Sequence, residues 1–235
     1  MTVAVTTSRE EKHKSLRPKT YSEKRVNLVQ LTNTYATVNS CELAQELQNI
    51  KINENNKIIT HHIKDLYVNL PIKNNPPITK FWLNKHNHVH NITEQILYIL
   101  EIILKPNHFQ YNNRFYQPNK GIAIKSPIPT TIAEVYLQYL EKTYVKHCLE
   151  NEETTYYKRY VDDTLIIFPR NKTDEDTTHN IINNTDEQLE FKISREENET
   201  INYLDLSVNR NTKNVNLNFR FMCPCIVNIG LERTN

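Results

Sequence analysis

The chain has 235 residues, 38% of them hydrophobic and 24% charged, with a formal net charge of +2. That length fits one large domain, or a core domain with a partial neighbour, and is enough to bury a sizeable core. The near balance of charge excludes a global basic field like that of a histone, so nucleic-acid contact would have to come from local clusters such as Lys12 to Arg25.

Cysteine usage points to a reduced, intracellular setting. Cys41 and Cys148 stand alone, and Cys223-Pro224-Cys225 lacks a second pair at zinc-ligand spacing. No apolar signal core opens the chain, and the greasiest stretch, Ile96 to Leu104, is interrupted by Glu101. Neither secretion nor a membrane partner is therefore expected. The Asn-x-Thr sequons at Asn91, Asn171, Asn183 and Asn198 follow from the general abundance of Asn. Only two glycines occur, which strains any fold that needs many tight turns.

Residues 1–25 are polar and basic and read as a disordered arm. From Val26 to about Asn55 the composition is mixed, with Glu42 to Leu47 weakly helical. Ile58 to Asn69 predicts a strand running into a turn, closed by Leu70-Pro71, and Pro76-Pro77 marks a break. Trp82 is most simply core. The alternating His86, His88 and His90 lack nearby Cys or acidic ligands and read as a polar loop. Thr93 to Leu104 has apolar residues at helical spacing and Pro106 as its stop. Phe109 to Tyr116 has aromatic-rich strand character.

Ser126-Pro127-Ile128-Pro129 opens a long helix, with Thr131 and Glu134 as a capping box and Ile132, Val135, Tyr136, Tyr139 and Leu140 on one packed face. Asn171 to Thr185 reads as a loop or a frayed helix. Leu189 to Ser194 and Ile201 to Val208 read as strands, joined by a charged turn at Glu196-Glu197-Asn198. Asp205 is assigned to strand-end hydrogen bonding. No internal repeat is present.

The most informative segment is Lys158 to Ile167. An apolar run, Leu165-Ile166-Ile167-Phe168, follows Asp162-Asp163 and is too short for a buried helix, so it reads as a strand. The lead-in Thr154 to Tyr157 also has strand composition. Asp-Asp between them is a turn-former, which gives a β-hairpin carrying two carboxylates at its tip. Fixed carboxylates at a strand end suit hard divalent cations. Asp-Asp alone is usually a solvated turn, and the acidic strand end of a nucleotidase or ATPase would look similar. Lys158 and Arg159 read equally as primer-phosphate contacts or as a solvated strand edge.

Four blocks in order, from Lys57 to Pro224, resemble the reverse-transcriptase domain of retroelements, most closely that of Penelope-like elements. The first is Ile63-Lys64-Asp65-Leu66-Tyr67-Val68-Asn69-Leu70-Pro71-Ile72, similar to the segment before the nucleotide site. The resemblance implies that the backbone at Asp65 and Leu66 holds the triphosphate and that Tyr67 gates against a ribose 2′-hydroxyl. The second runs from Gly121 through Ser126 and Pro127 to Tyr136, and implies a nucleotide-positioning turn at Gly121, Ser126 and Pro127. The third is Tyr160-Val161-Asp162-Asp163, which implies Asp162 and Asp163 as catalytic metal ligands, with Tyr160 near the primer terminus. The fourth, Leu189 to Leu206, resembles the strands that lead to the primer grip and implies primer or template contacts at Tyr203 and Leu204.

Where the family places its first catalytic aspartate, this chain has His62. An imidazole ligates magnesium poorly and cannot bridge two hard cations. Asp65 lies at an odd offset along the strand, which turns it to the other face. The family's Met-Gly is replaced by Ile124-Lys125, and its Ser before the helix by Pro129.

The resemblance implies an α+β fold: a right-hand polymerase palm, an antiparallel sheet with packed helices, over 57–225. A partial fingers region would occupy 26–56, and a truncated tail 226–235, with no thumb. It implies RNA-directed DNA polymerisation with Mg2+ or Mn2+, a dNTP, an RNA template and a DNA primer, in a nuclear setting, here in a degenerate and truncated copy. A catalytically dead nucleic-acid-binding remnant and a metal-dependent phosphohydrolase are the alternatives.

Overall fold

The computed structural model describes residues 3–4, 35–85, 90–105, 109–117, 120–122, 129–151, 153–211 and 216–222. The basic arm apart from residues 3–4, His86 and His88, Ile124 to Pro127, Pro106, and the Cys223–Cys225 and 226–235 segments lie outside them. The chain is mixed helix and antiparallel sheet and divides into two compact units. One, largely helical, comprises 65–140 and the residues before 33; the other, carrying most of the sheet, comprises 33–64 and 141–235. These limits differ from the expected boundaries at 25/26 and 56/57, because the strand ending at Lys64 pairs with strands far downstream in the chain.

In the sheet unit, α1 (Ser40–Gln48) is capped by Asn39, whose side chain accepts from the Glu42 amide. Strands β2 (Asn56–Lys64), β5 (Tyr156–Tyr160), β6 (Asp163–Pro169) and β7 (Glu190–Arg195) form an antiparallel sheet in the order β5-β6-β2-β7. Strands β8 (Thr200–Tyr203), β9 (Leu206–Asn211) and β10 (Asn216–Phe221) form a three-stranded meander.

Burial on both faces explains the unbroken apolar run of β6. Leu165 and Ile167 join Ile58, Leu43, Leu47, Ile201 and Val208 in one cluster, whereas Ile166 and Phe168 join Ile59 and Tyr157 in another. Each β-branched or aliphatic side chain thus meets a layer. The open edge of β5 is covered by the backbone of 35–37: the Arg159 amide donates to the Tyr35 carbonyl and the Thr37 amide to the Arg159 carbonyl, both at 2.8 Å.

Three sequence expectations change in this unit. Ile201 to Val208 is two strands, because Leu204 takes a left-handed φ of 53° and turns the chain at Leu204-Asp205. Asn171 to Thr185 contains an ordered helix, α7 (Glu175–Asn183), capped by Asp174. The charged turn is not solvated at Glu196: its carboxylate is 2% exposed, 2.8 Å from Lys57 Nζ and 3.0 Å from Arg210 Nη2. Burial pushes the Glu196 carboxyl up, but hydrogen bonds from Lys57 and Arg210 outweigh this and hold it below the usual range.

The expected long strand ends at Lys64, within the sheet unit; in the helical unit, Leu66–Asn69 is a helical turn, α2. Pro76-Pro77 does not break the chain. Both lie in the first turn of α3 (Asn75–Lys85), where a missing amide costs no intrahelical bond. Helix α4 (His90–Leu104) follows, then the hairpin of β3 (Phe109–Tyr111) and β4 (Arg114–Gln117), which β1 (Val3–Ala4) extends.

Pro129 opens α5 (Pro129–Leu140), which places Thr131 inside the helix, so it is no capping residue. Trp82 is core, and its indole donates to the Val135 carbonyl at 3.2 Å. A π-helical segment, Glu141–Val145, continues from Leu140 into α6 (Lys146–Glu150), within the sheet unit. Among the described residues no helix is long and apolar enough to cross a membrane.

Candidate functional site

The loop between β5 and β6 is Val161-Asp162, with Tyr160 paired to Asp163. The turn therefore sits one residue earlier than Asp-Asp would suggest. Val161 has φ +53°, a left-handed conformation that costs a β-branched residue about 1–3 kcal/mol. Three neighbours hold it there, one for each successive carbonyl. Arg159 Nη1 donates to the Val161 carbonyl at 3.0 Å, the Ile63 amide to that of Asp162 at 2.8 Å, and the Tyr203 hydroxyl to that of Asp163 at 2.9 Å.

Strand β2 supplies the third side chain. In register, His62 lies directly opposite Asp163. It shares a strand face with Ile58 and Thr60 but is the exposed member of that row, with its side chain 52% exposed. Its Nδ1 is 2.8 Å from Asp163 Oδ1 and 3.9 Å from Asp162 Oδ2. One ligand atom from each of the three lies within 4.8 Å of the others, so the group could hold a metal ion.

The donor set is one imidazole and two carboxylates. That fits a single divalent cation; the imidazole nitrogen, unlike a carboxylate, binds one ion at a time and cannot itself bridge a pair.

The parity reasoning applied to Asp65 does not hold. The strand ends at Lys64, and Asp65 has a left-handed φ of 50°, its carbonyl accepting from the Val68 and Asn69 amides. Leu66 is buried and Tyr67 half-buried on α2. Ser126 and Pro127 lie outside the described residues.

Gly121 has φ +74°, and a Cβ there would fall 2.6 Å from the Tyr67 carbonyl oxygen and closer still to that of Val68. The Ile122 amide donates to the same Tyr67 carbonyl at 2.7 Å. The glycine is demanded by backbone of the segment that carries Tyr67. Gly121→Ala is expected to cost about 1–3 kcal/mol, read as a lower urea midpoint.

Tyr160 is exposed at the end of β5, and Leu204 packs half-buried at the β8–β9 turn. Tyr203 is buried, and burial, followed by the Asp163 charge, raises its phenol well above the ordinary range, so the hydroxyl stays a donor to the hairpin. Asp205 accepts from Ser40 Oγ at 3.2 Å, the strand-end bonding assigned to it. Neither Lys158 nor Arg159 is a solvated edge or a free phosphate contact: Lys158 Nζ is 2.7 Å from Glu46.

Arg159 is the side chain that sequence reading misplaced most. It is 1% exposed and pairs with Glu141, itself 5% exposed, at 2.5 Å. Glu141 opens the π segment and also accepts from the Tyr157 hydroxyl at 3.2 Å. Nothing in sequence spacing marks this pair; the one local clue is an Arg in an otherwise strand-like run.

His61 is buried on the opposite face of β2, stacked on His179 with ring centroids 5.2 Å apart and edge-on to Phe191. Its Nε2 lies 3.2 Å from His179 Nδ1, and its own Nδ1 has no hydrogen-bond partner among the described residues. Burial, then His179, then Arg195 hold its imidazole down to about 3.

A His whose folded pKa lies below its unfolded value destabilises the fold as pH drops below about 6.5, because the unfolded chain then binds more protons. About 2 kcal/mol is expected to be lost between pH 7 and pH 5. The test is the urea midpoint as a function of pH, and His61→Leu should flatten that dependence.

No protein-family model matches the chain, and no curated protein matches its sequence. Solved structures do. Apo telomerase from Candida tropicalis aligns with a TM-score of 0.62 at 10% identity, over 86% of this chain and 39% of that one. Telomerase from Candida albicans in complex with a TWJ fragment of telomeric RNA gives 0.60 at 14% identity, over 81% and 37%. Telomerase from Candida tropicalis with a TWJ fragment gives 0.59 at 11% identity, over 80% and 35%. The chain thus spans under two fifths of the length of these telomerase chains. At such identities the likeness establishes the fold alone, one like that of these telomerase structures.

Proposed function

We propose that the chain is a reverse-transcriptase domain that engages an RNA template paired to a DNA primer, and that its nucleotidyl transfer is impaired by His62. The observation that carries this reading is the hairpin tip: two adjacent aspartates with residue 62 directly opposite on the neighbouring strand, in a fold of the reverse-transcriptase type. The sheet of β5, β6, β2 and β7 takes the part of a polymerase palm.

Asp162 and Asp163 would hold a divalent cation, which would supply the acidification of a primer 3′-hydroxyl and the stabilisation of leaving pyrophosphate. This chain's donor set lacks the third carboxylate for a Mg2+ pair. Asp162 and Asp163 are the remaining metal-binding carboxylates, Tyr160 a neighbour of the primer end, and Tyr203 and Leu204 the support of the primer side. Asp65, Leu66, Tyr67 and Gly121, with Ser126 and Pro127, make up the nucleotide-binding segment. Penelope-like descent and decay of the copy remain part of this proposal, carried by the motif order and by His62. The telomerases solved with an RNA fragment favour a nucleic-acid partner over a phosphohydrolase substrate.

Fluorescence anisotropy on a labelled DNA primer annealed to RNA tests the reading. Binding should weaken steeply with salt, as phosphate neutralisation requires. No binding at low salt, together with template-free hydrolysis of a simple phosphoester, would shift the assignment to the phosphohydrolase.

A further inference from the structure

We infer that His62, Asp162 and Asp163 form a site for one borderline transition-metal ion, of the Co2+ or Zn2+ class, which discriminates against Mg2+. This goes beyond the polymerase reading, since binding of the ion needs neither template nor nucleotide.

Three properties of the site support it. First, imidazole nitrogen favours later first-row metals, whereas Mg2+ demands oxygen donors in near-ideal octahedral geometry. Second, His62 Nδ1 is hydrogen-bonded to Asp163 Oδ1 at 2.8 Å and stands 3.9 Å from Asp162 Oδ2. Exchanging the bridging proton for an ion therefore needs shifts of only about 0.5 Å to reach the ligand–ligand spacing of about 3.3 Å that follows from tetrahedral bonds of about 2.0 Å. Third, the two carboxylates carry a formal charge of −2, which one divalent ion balances and a second would overturn.

The frame is also fixed before an ion arrives. The carbonyls of Val161, Asp162 and Asp163 are each tied to a different neighbour, and His62 is held in register by the ladders to β6 and β7. All three side chains remain open to solvent, leaving coordination positions for water or an added ligand.

The test is titration of the metal-free full chain with Co2+, followed calorimetrically and by visible absorption, with Mn2+ spin-echo spectroscopy to detect a coordinated imidazole nitrogen. His62→Ala and Asp163→Asn serve as variants; both positions are half-exposed, and circular dichroism checks that they fold. His86, His88, His90, Cys223 and Cys225 are other donors in the chain, so the readout is the difference between wild type and variant.

The expected result is one equivalent of Co2+ lost in His62→Ala and bound more weakly in Asp163→Asn. An approximately 100-fold excess of Mg2+ should not displace it. His62→Asp should reverse the order, weakening Co2+ and admitting Mg2+. Equal Co2+ stoichiometry in wild type and His62→Ala, displacement by equimolar Mg2+, or the same nitrogen coupling in His62→Ala would each overturn the inference.

Discussion

Replacing Arg159 by leucine is expected to destabilise the sheet unit by about 3–5 kcal/mol, because it leaves the Glu141 carboxylate buried without its cation. The urea midpoint, followed by circular dichroism, should fall accordingly. Most of that loss is the cost of an orphaned charge, not the worth of the pair. The double variant Arg159→Leu with Glu141→Leu should therefore recover much of the stability, since buried ion pairs often exchange for apolar groups at little net cost.

It should not recover the hairpin. Arg159 Nη1 is the donor to the Val161 carbonyl, beside a residue held at φ +53°. With that donor gone, the carboxylates of Asp162 and Asp163 lose part of their placement, and metal affinity should stay low in the stable double variant. Stability and site order thus separate in one pair of measurements.

His62→Asp is expected to raise template-directed primer extension in Mg2+ by about 10²–10³, the weight of one charge-stabilising group in a reacting centre. The register makes the substitution local, since position 62 already lies opposite Asp163 with its side chain turned outward. The cost is small. Like charges directly opposite on paired strands destabilise by up to about 1 kcal/mol, and Mg2+ should reverse that loss. Primer extension on an RNA template, resolved on a denaturing gel beside wild type, reads the gain.

The hairpin and its neighbours were legible because their signals are local. The run Leu165 to Phe168 is apolar at every position, and the structure buries it between two layers. The alignment of residue 62 with the aspartates was reachable only through family resemblance. His62 and Asp163 are 101 residues apart in the chain, and no spacing rule predicts that pairing. Segment ends were harder: the strands that end at Lys64 and Tyr203 are followed by Asp65 and Leu204, left-handed residues that are not glycine, so composition alone runs past them. Pro76-Pro77 reads as a break until it is seen to occupy a helix's first turn. The buried ions Glu141, Arg159, Glu196 and Arg210 were invisible, because a charge reads as solvated unless its distant partner is known.

The claim on which the rest depends is that the hairpin tip and position 62 act as one site. A primer-extension cycle on wild type, His62→Asp, Asp162→Asn and the double variant measures it directly. The gain from His62→Asp should vanish when Asp162→Asn is added and should require a template in every case. A gain that survives Asp162→Asn would contradict it.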